Sequence, residues 1–321
     1  MTRLRGLVLL VLGLALAGAV LAWTFLGSAT VAKDTPFTIP AGASVGTVAA
    51  KLEAEGLITS ASGFTLQARI FGSDAPIQAG EFLLTSGMSQ GDILDAFQSG
   101  KVIRRFVTIP EGMPSVLVWE RLMGEELLTG EIPVPPEGSI LPDTYSFERG
   151  QTRKSLVEQM QAAMDKALAE EWARRAPGIA VETLREALIL ASIVEKETGK
   201  PDERRMVAGL YSNRVRTGMK LQADPTIIYP ITRGKPLGRR INQSEIAAVN
   251  GYNTYTRTGL PEGPITNPGR ASIAAVLNPE KTSALFMVAD GTGGHWFADT
   301  HAEHKVNVAK WYAIRRERGE M

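Results

Sequence analysis

Hydrophobic patterning divides the chain into three stretches. Residues 6–27, GLVLLVLGLALAGAVLAWTFLG, carry no charge. As a helix such a run spans about 33 Å, enough for a bilayer core. Arg3 and Arg5 precede it and Lys33 is the first charge after it, so the positive-inside rule sets residues 1–5 in the cytoplasm and the rest outside. The small residues Ala15, Ala17 and Ala19 leave a cleaved signal peptide as the alternative reading. After a polar linker at 28–36, short strand and helix patterns alternate. Strands are expected at 37–40, 81–85 and 102–109, with helices starting at Ser44, over 64–71, and from Ser89 to Gly100. Beyond residue 150 helical spacing dominates. Leu156, Val157, Met160, Ala163, Met164, Ala167 and Leu168 mark one long helix over 152–175.

The most informative stretch is 183–199, TLREALILASIVEKETG. Thr183 and Glu186 have capping-box spacing, and Gly199 is placed to stop the helix in a left-handed conformation. At about 100° per residue, Arg185, Ser192 and Lys196 share one narrow stripe, the expected wet side. The other faces are apolar, so the helix is buried on most sides. Two acids nevertheless fall on apolar arcs: Glu197 over Leu190, Ile193 and Val194, and Glu195 on the far side near Leu184, Leu188 and Ala191. Buried carboxylates are rare unless paired or working. Each could meet an Arg or Lys from elsewhere; Glu197, beside the Gly199 break, is the better placed to meet a substrate.

Downstream, Pro201, Asp202 and Glu203 open another helix that Gly218 ends. Pro225 is expected to keep Asp224 out of helix, making 221–229 extended or turned. A helix at 272–277, a hairpin of 284–289 with 295–298 around Asp290-Gly291, and a helix at 303–318 complete the chain. A weak internal repeat relates Thr38-Ile39-Pro40-Ala41-Gly42 to Thr108-Ile109-Pro110-Glu111-Gly112, each a strand, a turn and a helix start. The Pro/Gly-rich residues 133–138 mark a boundary.

Composition narrows the function classes. With 35 Lys+Arg against 34 Asp+Glu, nothing points to nucleic acid as a partner. The absence of cysteine rules out disulfides, thiol catalysis and cysteine zinc sites. His301-Ala302-Glu303-His304 places two histidines on one helix face, but without an HExxH pattern a capped helix start is the plainer reading, and no metal or other cofactor is expected.

Four motifs occur in one order: VEKET (194–198), NRVRTGMKLQADPTIIY (213–229), YNTYTRTGLPEGPITNPG (252–269) and VADGTGGHWFADTHAEH (288–304). Their order and wording resemble the MltG/YceG-like endolytic murein (peptidoglycan) transglycosylases. Glu111-Gly112 and the PDTY of 142–145 match as well. The resemblance covers roughly residues 105–310.

It implies an enzyme anchored in the inner membrane that cuts nascent peptidoglycan strands internally and ends their elongation. It implies 1,6-anhydro-N-acetylmuramic acid ends, and places the catalytic acid at Glu197. Gln222, Asp224, Tyr229, Asn253 and Tyr255 are the candidates for sugar binding and for orienting Glu197; Asp224 is also the second carboxylate a muramidase-type hydrolase would require. Glycan strands, the inner membrane and peptidoglycan synthases are the implied partners. Residues 37–104 loosely resemble a LysM module, with a plain spacer as the alternative.

The expected class is α+β. It comprises a cytoplasmic tail (1–5), a transmembrane anchor (6–27), a linker (28–36), the LysM-like module (37–104), a connecting subdomain (105–150) and a periplasmic mixed α/β catalytic domain (151–321) built around the buried helix. A non-catalytic membrane-anchored glycan-binding or scaffold protein that keeps the same fold is the competing class.

Overall fold

The computed structural model describes residues 8–16, 18 and 30–320. Residues 8–16 are helical and exposed. No helix among the described residues is long and apolar enough to cross a membrane; the remainder of the expected anchor lies outside them. The chain divides into two compact units, one holding residues up to 105 together with 146–150, the other holding 106–145 and 151 onward. Residues 106–145, expected as part of a connecting subdomain, thus cluster with the C-terminal unit.

The N-terminal unit runs β1 (Thr35–Ile39), α1 (Val45–Ala54), α2 (Ala61–Phe71), β2 (Gly80–Leu84) and α3 (Gln90–Ser99). β1 and β2 pair antiparallel with Phe37 opposite Phe82, and Phe97 stacks on the first ring and meets the second edge-on. Ser44, Ser60 and Ser89 each cap a helix through the side chain, satisfying amides that the first turn leaves free. The buried Glu81 is paired with Arg105 at 2.6 Å and Arg149 at 3.3 Å, which ties residues 146–150 to this unit. The strand expected over 102–109 is shorter: β3 is Arg105–Thr108, and Val102 makes only an isolated bridge to Phe82.

The C-terminal unit holds α4 (Ser115–Met123); β4 (Thr144–Phe147), whose last two residues cluster with the N-terminal unit, pairs with β3. Then come α5 (Arg153–Ala173), α6 (Leu184–Glu197), a 3-10 turn (Pro201–Glu203), α7 (Arg204–Arg216), α8 (Pro225–Thr232), α9 (Gln243–Ile246) and α10 (Arg270–Leu277). The hairpin β5 (Phe286–Ala289) and β6 (His295–Ala298) and the helix α11 (His301–Glu317) end it. The two halves of the sequence repeat both turn on a left-handed glycine, Gly42 at φ 76° and Gly112 at φ 70°.

α6 is the centre of this unit, packed by α5, α7, α8 and α10. Leu190, Ala191, Ile193 and Val194 are fully buried against Val207 and Leu210 of α7 and Ile273, Val276 and Leu277 of α10. The Thr183–Glu186 capping box forms as expected.

Three local expectations need correction. Ser192 is fully buried, not wet: its hydroxyl donates to the Ile189 carbonyl at 2.7 Å and accepts from the Ile265 amide at 3.1 Å, so burial leaves it satisfied. The helix stops because Thr198 turns extended, φ −141° and ψ 130°, and Gly199 is not among the left-handed residues. Residues 225–232 are helical, since Pro225 occupies the first turn, where its missing amide proton costs nothing.

Candidate active site

Glu197 is the last residue of α6, so a buried, rigid helix delivers its carboxyl to the edge of the core. There it meets a cavity of about 400 Å³ lined by Lys196, Tyr211, Arg214, Gln222, Asp224, Tyr255 and the inner side of β5–β6, including Val288 and His295. Oε1 of Glu197 is buried and has no hydrogen-bond partner among the described residues. Burial pushes the carboxyl up to about 7; the negative charge of Asp224 adds to this, while a Tyr211 hydroxyl contact and the Arg214 charge oppose it. At neutral pH the group is therefore poised between acid and carboxylate.

The surroundings are built from backbone carbonyls and hydroxyls. Arg214 is buried, and its Nε donates to Leu285 O at 2.7 Å and its Nη1 to Leu221 O at 2.5 Å. One guanidinium thereby fixes α7, the segment before α8 and the start of the hairpin. Thr254 and Thr226 share a buried hydroxyl contact at 2.8 Å, the Thr254 hydroxyl accepts from Ala223 N at 3.1 Å, and Thr254 O accepts from Gln222 N at 3.2 Å. That clamp holds residues 222–224 beside 253–255. It leaves Gln222 left-handed at φ 52° and brings the Tyr255 hydroxyl to Asp224 Oδ1, to which it donates at 2.6 Å. Across the cavity, Glu203 accepts from both the amide and Nδ1 of His295, at 3.1 and 2.9 Å, tying the hairpin to the 3-10 turn after α6.

The structure thus gathers Glu197, Gln222, Asp224 and Tyr255 around one cavity. It places two other candidates elsewhere. Asn253 is fully buried and organises the loop: its Nδ2 donates to the carbonyls of Glu245, Ile246 and Ala248, and its Oδ1 accepts from Tyr255 N at 2.9 Å. Tyr229 lines a separate cavity with Tyr252. Glu195 points away from Glu197; its partner is the Gly269 amide at 2.9 Å, not the Arg or Lys expected for it. Tyr211 and Arg214 escaped the sequence reading, although their i, i+3 spacing on the buried side of α7 was a usable signal. His301 and His304 pack on the Phe286 ring at 5.8 and 5.3 Å, and no cluster of three metal-ligating side chains occurs among the described residues.

Comparison with known proteins places the chain in a family. A family model described as the YceG-like family matches residues 37–310. The protein named endolytic murein transglycosylase from Streptococcus pneumoniae serotype 2, strain D39, is 30% identical over 322 residues, covering 85% of this chain and 57% of the relative. The chain therefore spans little more than half the length of that relative. The Bacillus subtilis protein of the same name is 27% identical over 329 residues, covering 90% of this chain and 89% of its own. A crystal structure of a YceG-like protein from Listeria monocytogenes superposes with a TM-score of 0.52 at 27% identity, covering 86% of this chain and 99% of that one. Because the family match takes in both described units and the whole of the Glu197 cavity, the chain belongs to the YceG-like family.

Proposed function

We propose that this chain is an endolytic peptidoglycan lytic transglycosylase, with Glu197 as its acid and base. The observation that carries the reading is the buried Glu197 carboxyl, whose Oε1 has no partner among the described residues and lies beside a polar cavity. Protonated, it donates to the glycosidic oxygen between N-acetylmuramic acid and N-acetylglucosamine. Ionised by that step, it accepts the proton of the muramic acid C6 hydroxyl, whose oxygen closes on C1 and leaves a 1,6-anhydro end. One carboxyl serves both steps, so no second acid is needed to activate water, as hydrolysis would require. The Asp224 charge favours the positive character that develops at C1, and Gln222 and Tyr255 supply groups for the sugar hydroxyls.

The relatives named endolytic murein transglycosylase support the substrate class. On this reading, residues 6–27 anchor the protein in the inner membrane and the catalytic unit works in the periplasm on nascent strands. Release of a strand there ends its elongation, close to the synthases that make it. Residues 37–104 act as a LysM-like aid to strand binding. The test is Glu197→Gln in the full-length protein: cleavage of isolated glycan strands should fall by about a hundredfold or more, the usual scale for losing a general acid, while the fold is kept. Near wild-type cleavage by this variant would overturn the role of Glu197. A wild-type protein that binds strands and leaves them uncut would point to the scaffold class.

A further inference from the structure

α8 separates two cavities: its Ile228 faces the Glu197 cavity, while Tyr229, Pro230 and Arg233 face another of about 490 Å³ that shares no lining residue with the first. We propose that this second cavity is a carbohydrate-binding site for a neutral amino-sugar unit of the glycan strand, remote from the cut bond. The inference rests on the proposed activity for its choice of polymer; the cavity itself stands on its own geometry.

The floor is a pair of half-buried aromatic rings, Tyr229 and Tyr252, with centroids 4.7 Å apart and planes tilted by 47°. The Tyr229 hydroxyl is engaged by Glu137 and Tyr252 and both rings pack on the hydrophobic core, so they are pinned, and the part of each that lines the cavity offers apolar surface to the C–H side of a sugar. Glu137 is itself held, its Oε1 accepting from the Ser115 amide at 2.9 Å. It and Glu262 bring carboxylate oxygens to the lining, and Arg233 brings a guanidinium to the rim. Arg233 sits there because it ends α8 in the left-handed region at φ 54°. Charge selects the ligand class. Two carboxylates disfavour an anion and Arg233 disfavours a cation, whereas both kinds of group hydrogen-bond a neutral, hydroxyl- and amide-bearing ring. The volume is within the range of small-ligand sites.

The test uses the full-length protein in detergent, labelled with fluorotyrosine, and hexa-N-acetylchitohexaose as the probe. Fluorine resonances of Tyr229 and Tyr252, assigned by their loss in Tyr229→Phe and Tyr252→Phe, should shift on adding the sugar. Val116→Trp, which fills the cavity from α4 without touching the Glu197 site, should abolish the shift. In strand cleavage, Val116→Trp should raise KM for long strands about tenfold and leave kcat unchanged, the mark of lost remote binding. Absence of any shift at millimolar sugar, a shift produced only by a free stem peptide, or a wild-type KM in folded Val116→Trp would each overturn the proposal. If the protein cuts no strand yet the two resonances still respond to sugar and not in Val116→Trp, the site stands and the proposed activity falls.

Discussion

Replacing Glu197 by Gln should stabilise the protein, and only above the acid range. Its carboxyl is pushed from 4.5 up to about 7, mainly by burial. Below pH 4.5 the group is neutral in both the folded and the unfolded chain, and the native state keeps its full stability. As pH rises through 4.5 to 7, the unfolded chain ionises while the folded one holds its proton. The unfolded state then binds fewer protons, so stability falls with pH until the folded group also ionises. At 1.36 kcal/mol per unit, the loss comes to about 3 kcal/mol by pH 8. Gln has nearly the same shape and does not titrate, so it escapes this loss. Two compact units make a single global transition a poor measure. Tryptophan fluorescence during urea unfolding suits the case, because Trp119, Trp172, Trp296 and Trp311 all belong to the unit that holds Glu197. The gap between Glu197→Gln and wild type should be near zero at pH 4 and about 3 kcal/mol in favour of the variant at pH 8. An equal gap at both pH values, or a wild type more stable at pH 8, would refute the idea that Glu197 is held as a desolvated acid.

Asp224→Asn removes the negative charge that helps raise Glu197; the fall of kcat/KM on the alkaline side, centred near pH 7 in wild type, should move to lower pH, as a pH–rate profile will show. Asn253→Ala strips a buried side chain of its contacts to three carbonyls and the Tyr255 amide; unfolding should register a loss on the order of 3 kcal/mol, and release of Tyr255 should lower cleavage as well. Glu195→Gln keeps an acceptor for the Gly269 amide, so it should cost about 1 kcal/mol or less and leave kcat within a few-fold of wild type.

Local rules carried the sequence far wherever the determinants lay within one turn of chain. The Thr183–Glu186 box, the apolar arcs of α6 and the hairpin around Asp290-Gly291 all depend on near neighbours, and all form. Where a residue's environment is set by a distant segment, the pattern misled. Ser192 read as a wet residue because a helical wheel cannot show that Ile265, 73 positions away, brings an amide to its hydroxyl. Pro225 fits the pattern of a helix barrier, yet proline is equally at home as the first residue of a helix, and here it is one. Asn253 and Tyr255 are neighbours in one motif, yet only Tyr255 reaches the cavity; Asn253 is spent on holding the loop. Arg214 offers only its spacing from Tyr211 on the buried side of α7 as a local cue; its acceptors Leu221 and Leu285 lie farther along the chain.

The chemistry of the new ends is the most direct test. Glycan strands digested by the full-length protein, then analysed by mass spectrometry, should show new internal cuts that end in 1,6-anhydro-N-acetylmuramic acid, and Glu197→Gln should produce about a hundredfold fewer of them in the same time. Reducing muramic acid ends would contradict the single-carboxyl mechanism and turn attention to Asp224 as the second acid of a hydrolase.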